Sequence, residues 1–124
     1  MTTVRYIVDD VDAAVAFYTE QLGFEVEMHA PAGFAMLDRD DLRLMLNRPG
    51  AGGAGQPDDA GHPPEPGGWG RFQVQVADLD AELSRLTEAG VRVRTSVVSG
   101  GGGRQAVIED PSGNAIELFE PPSG

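Results

Sequence analysis

The sequence contains no cysteine and no lysine, since all nine of its basic residues are arginines. The first absence excludes disulfide bonds, thiolate metal sites and a cysteine nucleophile. The second excludes a Schiff base formed on a lysine. No apolar run approaches the roughly 20 residues that a membrane-spanning helix requires. We therefore expect a soluble, cytoplasmic protein that has no membrane partner.

Charge of one sign dominates the chain. Twenty acidic residues stand against nine basic ones, which gives a formal net charge of -11. A surface this negative repels phosphate backbones, so we expect no nucleic-acid partner. The 124 residues suffice for one small domain with a modest core, which excludes a large multidomain enzyme.

Two stretches of the sequence resemble each other. Residues 3–13 read TVRYIVDDVDA, and residues 71–81 read RFQVQVADLDA. In each, alternating apolar residues predict a strand, and an aspartate, Asp10 or Asp78, predicts the start of an amphipathic helix that ends at a glycine. Three strands are then predicted in each half, over 24–29, 34–38 and 42–47 in the first, and over 91–98, 104–109 and 115–120 in the second.

A stretch rich in glycine and proline lies between the two halves. Residues 48–68 contain seven glycines and five prolines and show no apolar periodicity. Such a segment buries too little surface to offset the entropy of ordering it. We interpret it as a linker that is either mobile or a lid over a ligand. The predicted organisation is a first βαβββ module over 1–47, the linker over 48–68 and a second βαβββ module over 69–124.

Two motifs stand in order on this repeat. Residues 10–18 read DVDAAVAFY and are followed by LGF at 22–24, while residues 110–118 read DPSGNAIEL. This combination resembles the vicinal oxygen chelate superfamily, also called the glyoxalase/bleomycin resistance protein/dioxygenase superfamily. The resemblance implies an α+β fold in which two βαβββ modules form a curved mixed sheet around a cleft, with the helices on the outside. It also implies a homodimer, because family members pair modules within or between chains.

Strand periodicity then predicts which side chains line the cleft. Alternate side chains of a strand point to opposite faces, so helix-facing leucines in 42–47 place Met45 in the cleft. Trp69 follows the linker and can stack at the cleft mouth on a flat or cationic ligand. Arg71 and Glu117 are expected to form an ion pair on the cleft floor. The predicted ligand-binding residues are Phe34, Met36, Met45, Trp69, Arg71, Gln73, Gln105, Glu117, Phe119 and His29.

Several of these residues also have a purely structural interpretation. Trp69 can cover the end of the sheet or a dimer seam instead of binding a ligand. His29 can be a general base in the cleft or a residue at the sheet edge. The pair of Arg71 and Glu117 can hold two strands together as well as anchor a ligand.

The metal ligands that the resemblance implies are largely missing. Enzymes of the family hold a divalent metal through the first and last strands of each module, usually with His or Gln and with Glu. The corresponding positions are Thr3, Met45, Arg71 and Glu117. Only Glu117 suits such an ion, and the permanent charge of Arg71 repels one. We therefore expect no metal and no cofactor, and the sequence identifies no catalytic residue.

Three functions are compatible with these features. The leading hypothesis is a metal-independent small-molecule-binding protein, similar to bleomycin resistance proteins, that sequesters an antibiotic or natural product. The alternative is an enzyme of the same superfamily, a lyase, isomerase, dioxygenase or thiol transferase, with an unusual metal site or with acid–base chemistry by Glu117, His29 or Asp38. The third is an interaction or regulatory module whose cleft is vestigial.

Overall fold

The computed structural model describes residues 1–31 and 33–122. The chain divides between Gly67 and Gly68 into two compact units, here called unit 1 and unit 2. Unit 1 contains β1 (Thr2–Ile7), α1 (Val11–Leu22), β2 (Glu25–Ala30), β3 (Phe34–Arg39), β4 (Leu42–Asn47) and a short 3-10 helix (Gly53–Gly55). Unit 2 contains β5 (Arg71–Gln75), α2 (Leu79–Glu88), β6 (Val98–Gly100), β7 (Gly103–Glu109) and β8 (Ala115–Glu120).

Each unit is a four-stranded mixed sheet with one helix. The strand order is β1-β4-β3-β2 in unit 1 and β5-β8-β7-β6 in unit 2. The first and last strands of each unit are parallel neighbours, and the remaining pairs are antiparallel. The predicted α+β fold of two βαβββ modules is therefore confirmed. Neither helix in the described part of the chain has the length and apolar character needed to cross a membrane.

Both helices begin at the aspartates that the sequence predicts. Asp10 and Asp78 have extended backbones. Their side chains accept hydrogen bonds from the amides of Ala13 at 3.0 Å and Ala81 at 3.1 Å. These bonds satisfy donors that the first helical turn leaves unpaired. Gly23 ends α1 at φ 71°, a left-handed conformation that favours glycine.

The core lies on the side of each sheet that faces the helix of the same unit. In unit 1, Leu37, Leu44 and Leu46 are completely buried. In unit 2, Ile116 and Leu118 are completely buried in the same way. These residues alternate along their strands, so the intervening side chains point to the opposite side. We call that opposite side the open face of each unit.

The strand that follows α2 is shorter than predicted. The alternation of apolar residues predicts a strand over 91–98, but β6 spans only Val98–Gly100. The backbone carbonyl of Val107 accepts hydrogen bonds from the amides of both Arg94 and Thr95, at 2.7 and 3.2 Å. Two consecutive donors to one carbonyl interrupt the regular ladder. The predicted strand is therefore wrong over most of its length.

The stretch rich in glycine and proline begins with a hydrogen-bonded turn. Gly55 is buried, and its carbonyl accepts from the amide of Gly50 at 2.7 Å. The side-chain amide of Asn47 donates to the carbonyl of Ala51 at 3.3 Å. These contacts attach the start of the stretch to the end of β4. The boundaries of the linker at 48 and 68 stay a prediction.

Candidate ligand-binding site

A carboxylate lies at the centre of the open face of unit 2. The Oε1 atom of Glu117 accepts a hydrogen bond from Arg71 Nε at 2.9 Å, and Oε2 accepts one from Gln73 Nε2 at 2.7 Å. Arg71 and Gln73 are alternate residues of β5, so their side chains share one face of the sheet. The Glu117 side chain is only 12% exposed. The expected ion pair forms, and Gln73 completes it by engaging the second carboxylate oxygen.

An aromatic ring flanked by amides continues this face. The strand register places Phe119 between Gln75 of β5 and Gln105 of β7, in one row across the sheet. A Cβ atom at Gly103 would lie only 2.9 Å from the Phe119 ring, so glycine is required beside it. The row combines an apolar surface with hydrogen-bonding groups, as small-molecule sites commonly do.

Trp69 stacks on an arginine that is absent from the predicted site. The guanidinium carbon of Arg94 lies 4.7 Å from the centroid of the Trp69 ring, a cation–π contact. Arg94 also bonds to the Glu109 carboxylate at 2.9 Å and to the carbonyls of Gly68 at 2.6 Å and Gly113 at 2.9 Å. Trp69 itself is 63% exposed. Its ring is therefore oriented by Arg94 while most of its surface stays accessible.

Three methionines and an arginine form a row across the open face of unit 1. The register pairs Arg5 with Met45, Met45 with Met36, and Met36 with Met28. Met28 is 48% exposed, and Met36 and Met45 are half-buried. We call Met28, Met36 and Met45 the methionine row. It is an apolar strip across β2, β3 and β4 that ends beside the guanidinium on β1.

Neutral partners hold Arg5 at the end of this row. Its Nη1 donates to Asn47 Oδ1, and its Nη2 lies 3.3 Å from Met45 Sδ. Asn47 is only 3% exposed and is anchored through Ala51. Phe34 is half-buried and pairs in register with Asn47, so it lies in the next row of the same face. Arg5 is thus oriented by an amide and a thioether.

An ion pair lies on the opposite side of the methionine row in unit 1. Arg43 donates to both oxygens of Asp38, at 2.8 and 3.1 Å. This bidentate hydrogen bonding lowers the pKa of Asp38 below its ordinary value of 3.8. Asp38 is therefore ionised near neutral pH. An ionised carboxylate has no proton to donate, so Asp38 is poorly suited to act at neutral pH as the general acid of the enzyme alternative.

His29 lies on the helix side of its sheet, and the expectation that it joins the cleft-facing set is wrong. The register shifts between Val26 and Met28, where β2 contains a bulge. One extra residue reverses the side-chain alternation beyond it. His29 consequently pairs with Ala35, and its Nε2 lies 2.9 Å from Asp12 Oδ1 on α1. Met28 takes the place on the open face that was expected for His29.

Comparison with known sequences identifies the family. The sequence model of the Glyoxalase/Bleomycin resistance protein/Dioxygenase superfamily matches residues 1–118. The chain belongs to this superfamily. The uncharacterized protein YurT of Bacillus subtilis (strain 168) is 32% identical, with 91% of this chain and 92% of YurT covered by the alignment.

Solved structures with the same fold carry different descriptions. TnmS3, an antibiotic binding protein from Streptomyces sp. CB03234, is 26% identical, with 97% of this chain and 93% of TnmS3 covered and a TM-score of 0.69. The lactoylglutathione lyase from Agrobacterium tumefaciens is 23% identical, with 97% of this chain and 92% of the lyase covered and a TM-score of 0.76. The likeness to the lyase shows the fold alone. The superfamily therefore leaves the function of this chain to be argued from its own residues.

The metal held by enzymes of the superfamily does not fit the residues present. Both oxygens of Glu117 are engaged by Arg71 and Gln73, and the nearby guanidinium repels a cation. In unit 1, Thr3 and Met45 offer a hydroxyl and a thioether, which are poor ligands for a hard divalent ion. Within residues 1–31 and 33–122, no three histidine or acidic side chains are grouped to hold a metal. Independence from metal stays a prediction that this donor set favours.

Proposed function

We propose that the chain is a metal-independent small-molecule-binding protein that sequesters an antibiotic or another natural product. The observation that carries the proposal is the engagement of Glu117. Its two oxygens accept hydrogen bonds from Arg71 and Gln73 within the sheet. The carboxylate thus acts as a fixed polar anchor of the open face. The likeness to the antibiotic binding protein TnmS3 also supports a role in binding a small molecule.

The stacked pair of Trp69 and Arg94 narrows the kind of ligand. A tryptophan ring favours flat partners, and an exposed ring can stack on one. Because Arg94 already supplies a cation to the ring, a second cation at the ring would be repelled. We therefore propose a flat ligand that is neutral or anionic where it meets Trp69, in place of the flat or cationic ligand that the sequence alone suggests.

A ligand screen tests this function. Natural products are screened by thermal shift in buffer containing EDTA, and the affinity of each hit is measured by calorimetry. Truncating a central aromatic side chain costs about 2 kcal/mol or more of binding energy. Trp69→Ala should therefore weaken a hit by at least about thirtyfold. Val26→Ala is the matched control, because Val26 is an apolar residue 46% exposed that pairs with the helix-facing Leu37.

A second variant tests the polar anchor. The combination of Arg71→Met and Glu117→Gln removes both charges, nearly preserves the volume and avoids leaving one charge unpaired. We expect weaker binding with little loss of fold. Wild-type affinity in both this double variant and Trp69→Ala would show that the site is placed wrongly. Binding that disappears in EDTA and returns with zinc, nickel or manganese would contradict metal independence and favour the enzyme alternative.

A further inference from the structure

We propose that unit 1 contains a recognition site for an amphiphilic carboxylate. In this site Arg5 binds the anionic group, and the methionine row binds an apolar or aromatic body. The inference rests on the proposed small-molecule function and specifies the chemistry of the ligand. It depends on three observations: the charge partners of the arginines, a difference between the two units, and the direction of the methionine row.

The charge partners single out Arg5. Among the described residues, seven of the nine arginines lie within 4.0 Å of a carboxylate oxygen: Arg39, Arg43, Arg71, Arg85, Arg92, Arg94 and Arg104. Arg5 and Arg48 form no such pair in the described part of the chain, and of these two only Arg5 belongs to a strand. Arg5 is thus a cation on the open face that can receive an anion without displacing a carboxylate of the protein.

The two units differ at the position opposite this cation. In unit 2 the register pairs Gln73 with Glu117, and in unit 1 the corresponding pair is Arg5 and Met45. Donors on the first strand of unit 2 therefore meet a carboxylate on the last strand. In unit 1 the donor is a guanidinium, and the last strand offers the thioether of Met45. A ligand carboxylate would supply in unit 1 the anion that Glu117 supplies in unit 2.

The Arg5 guanidinium is already oriented for a hydrogen bond to a ligand carboxylate. The amide oxygen of the buried Asn47 accepts from Nη1, and Asn47 is fixed by its own bond to Ala51. A guanidinium has five N–H donors, so these contacts leave donors for a ligand. A hydrogen bond between an arginine and a carboxylate is charge-assisted and is stronger than one between neutral groups.

The methionine row sets the size and character of the rest of the ligand. Neighbouring strands lie about 4.8 Å apart, so the row from Arg5 to Met28 spans about 14 Å. Methionine side chains are flexible and polarizable and adapt to ligands of different shape. The row therefore fits an elongated apolar or aromatic body whose anionic end lies at Arg5. A cationic end would be repelled there.

The test uses biphenyl-4-carboxylate and its neutral analogue biphenyl-4-carboxamide as probes. The full chain is labelled with ¹³C at the methionine methyl groups, so Met28, Met36 and Met45 report on the row while Met1 serves as an internal reference. In the wild type we expect the row methyls to shift and the carboxylate to bind at least about tenfold more tightly than the amide. Arg5→Gln should reduce that preference to within about twofold, and Arg5→Lys should retain part of it.

The matched control is Arg48→Gln, which removes the same charge from the same unit but from outside the strands. It should keep the preference for the carboxylate. Equal affinity for the two probes in the wild type, or a preference that survives in Arg5→Gln, overturns the role of Arg5 while leaving the small-molecule function in place. Absence of any row methyl shift with either probe overturns the site in unit 1, whereas the natural-product screen with Trp69→Ala decides the small-molecule function separately. Row methyls that shift when the protein alone is diluted, but not when either probe is added, identify a second copy as the occupant of the row and overturn the site.

Discussion

Replacing Arg94 by methionine tests how unit 2 holds Trp69. The Arg94 side chain is 16% exposed and joins the Glu109 carboxylate, two backbone carbonyls and the Trp69 ring. Hydrogen bonds to charged groups contribute about 1.5–3 kcal/mol each. Arg92, at 3.6 Å from the other Glu109 oxygen, offsets part of the loss by remaining beside that carboxylate. We therefore expect Arg94→Met to reduce the free energy of unfolding by about 2–4 kcal/mol.

Urea unfolding followed by tryptophan fluorescence measures this loss. Trp69 is the only tryptophan in the chain, so its native emission also reports directly on the removal of the guanidinium. Arg92→Met is the control, because Arg92 is 67% exposed and makes a longer contact. Such exposed pairs contribute about 1 kcal/mol or less. A loss in Arg94→Met no greater than in Arg92→Met, together with unchanged native emission, would refute the argument that Arg94 positions Trp69.

Three further predictions address the fold, the response to acid and the assembly. Gly103→Ala should cost more than about 2 kcal/mol of stability, because the φ angle of Gly103 is 131° and the new Cβ would lie 2.5 Å from the carbonyl oxygen of Glu120. The control is Gly102→Ala, whose new Cβ would have no atom within 4 Å. It should cost less than about 1 kcal/mol in the same urea titration. A hydrogen bond from Arg104 lowers the pKa of Asp80 below 3.8, so its stabilisation is present above that pH and is lost as the pH falls through the folded pKa. Between about pH 5 and pH 2 the wild type should therefore lose more stability than Arg104→Gln, and equal losses would contradict the pairing. The open faces favour a homodimer, and a sedimentation mass near that of one chain at micromolar concentration would contradict it.

Local rules were sufficient to predict most of the fold. Capping by Asp10 and Asp78 involves residues three positions apart, and strand alternation needs only neighbours along the chain. Both are properties of short segments, which explains why the helix starts and the face of Met45 are visible in the sequence. The pair of Arg71 and Glu117 followed from the resemblance to the superfamily, which implies that the first and last strands of a module lie side by side.

The failures involve contacts between distant segments. The bulge in β2 is defined by its pairing with β3, so the reversal at His29 has no marker in β2 alone. Arg94 lies in an alternating Val-Arg-Val-Arg segment that is typical of a strand. Its bonds to Gly68, Glu109 and Gly113 draw the segment out of the regular ladder. The same bonds place it beneath Trp69, a role that periodicity does not reveal.

Elemental analysis of the purified chain tests metal independence most directly. After dialysis the protein is measured for zinc, nickel, iron and manganese, alongside Glu117→Gln. Because Arg71 and Gln73 already engage the Glu117 carboxylate, we predict less than about 0.1 equivalent of any of these metals per chain in both proteins. At that level about nine chains in ten or more contain no metal. One equivalent of a metal in the wild type, lost in Glu117→Gln, would contradict the account.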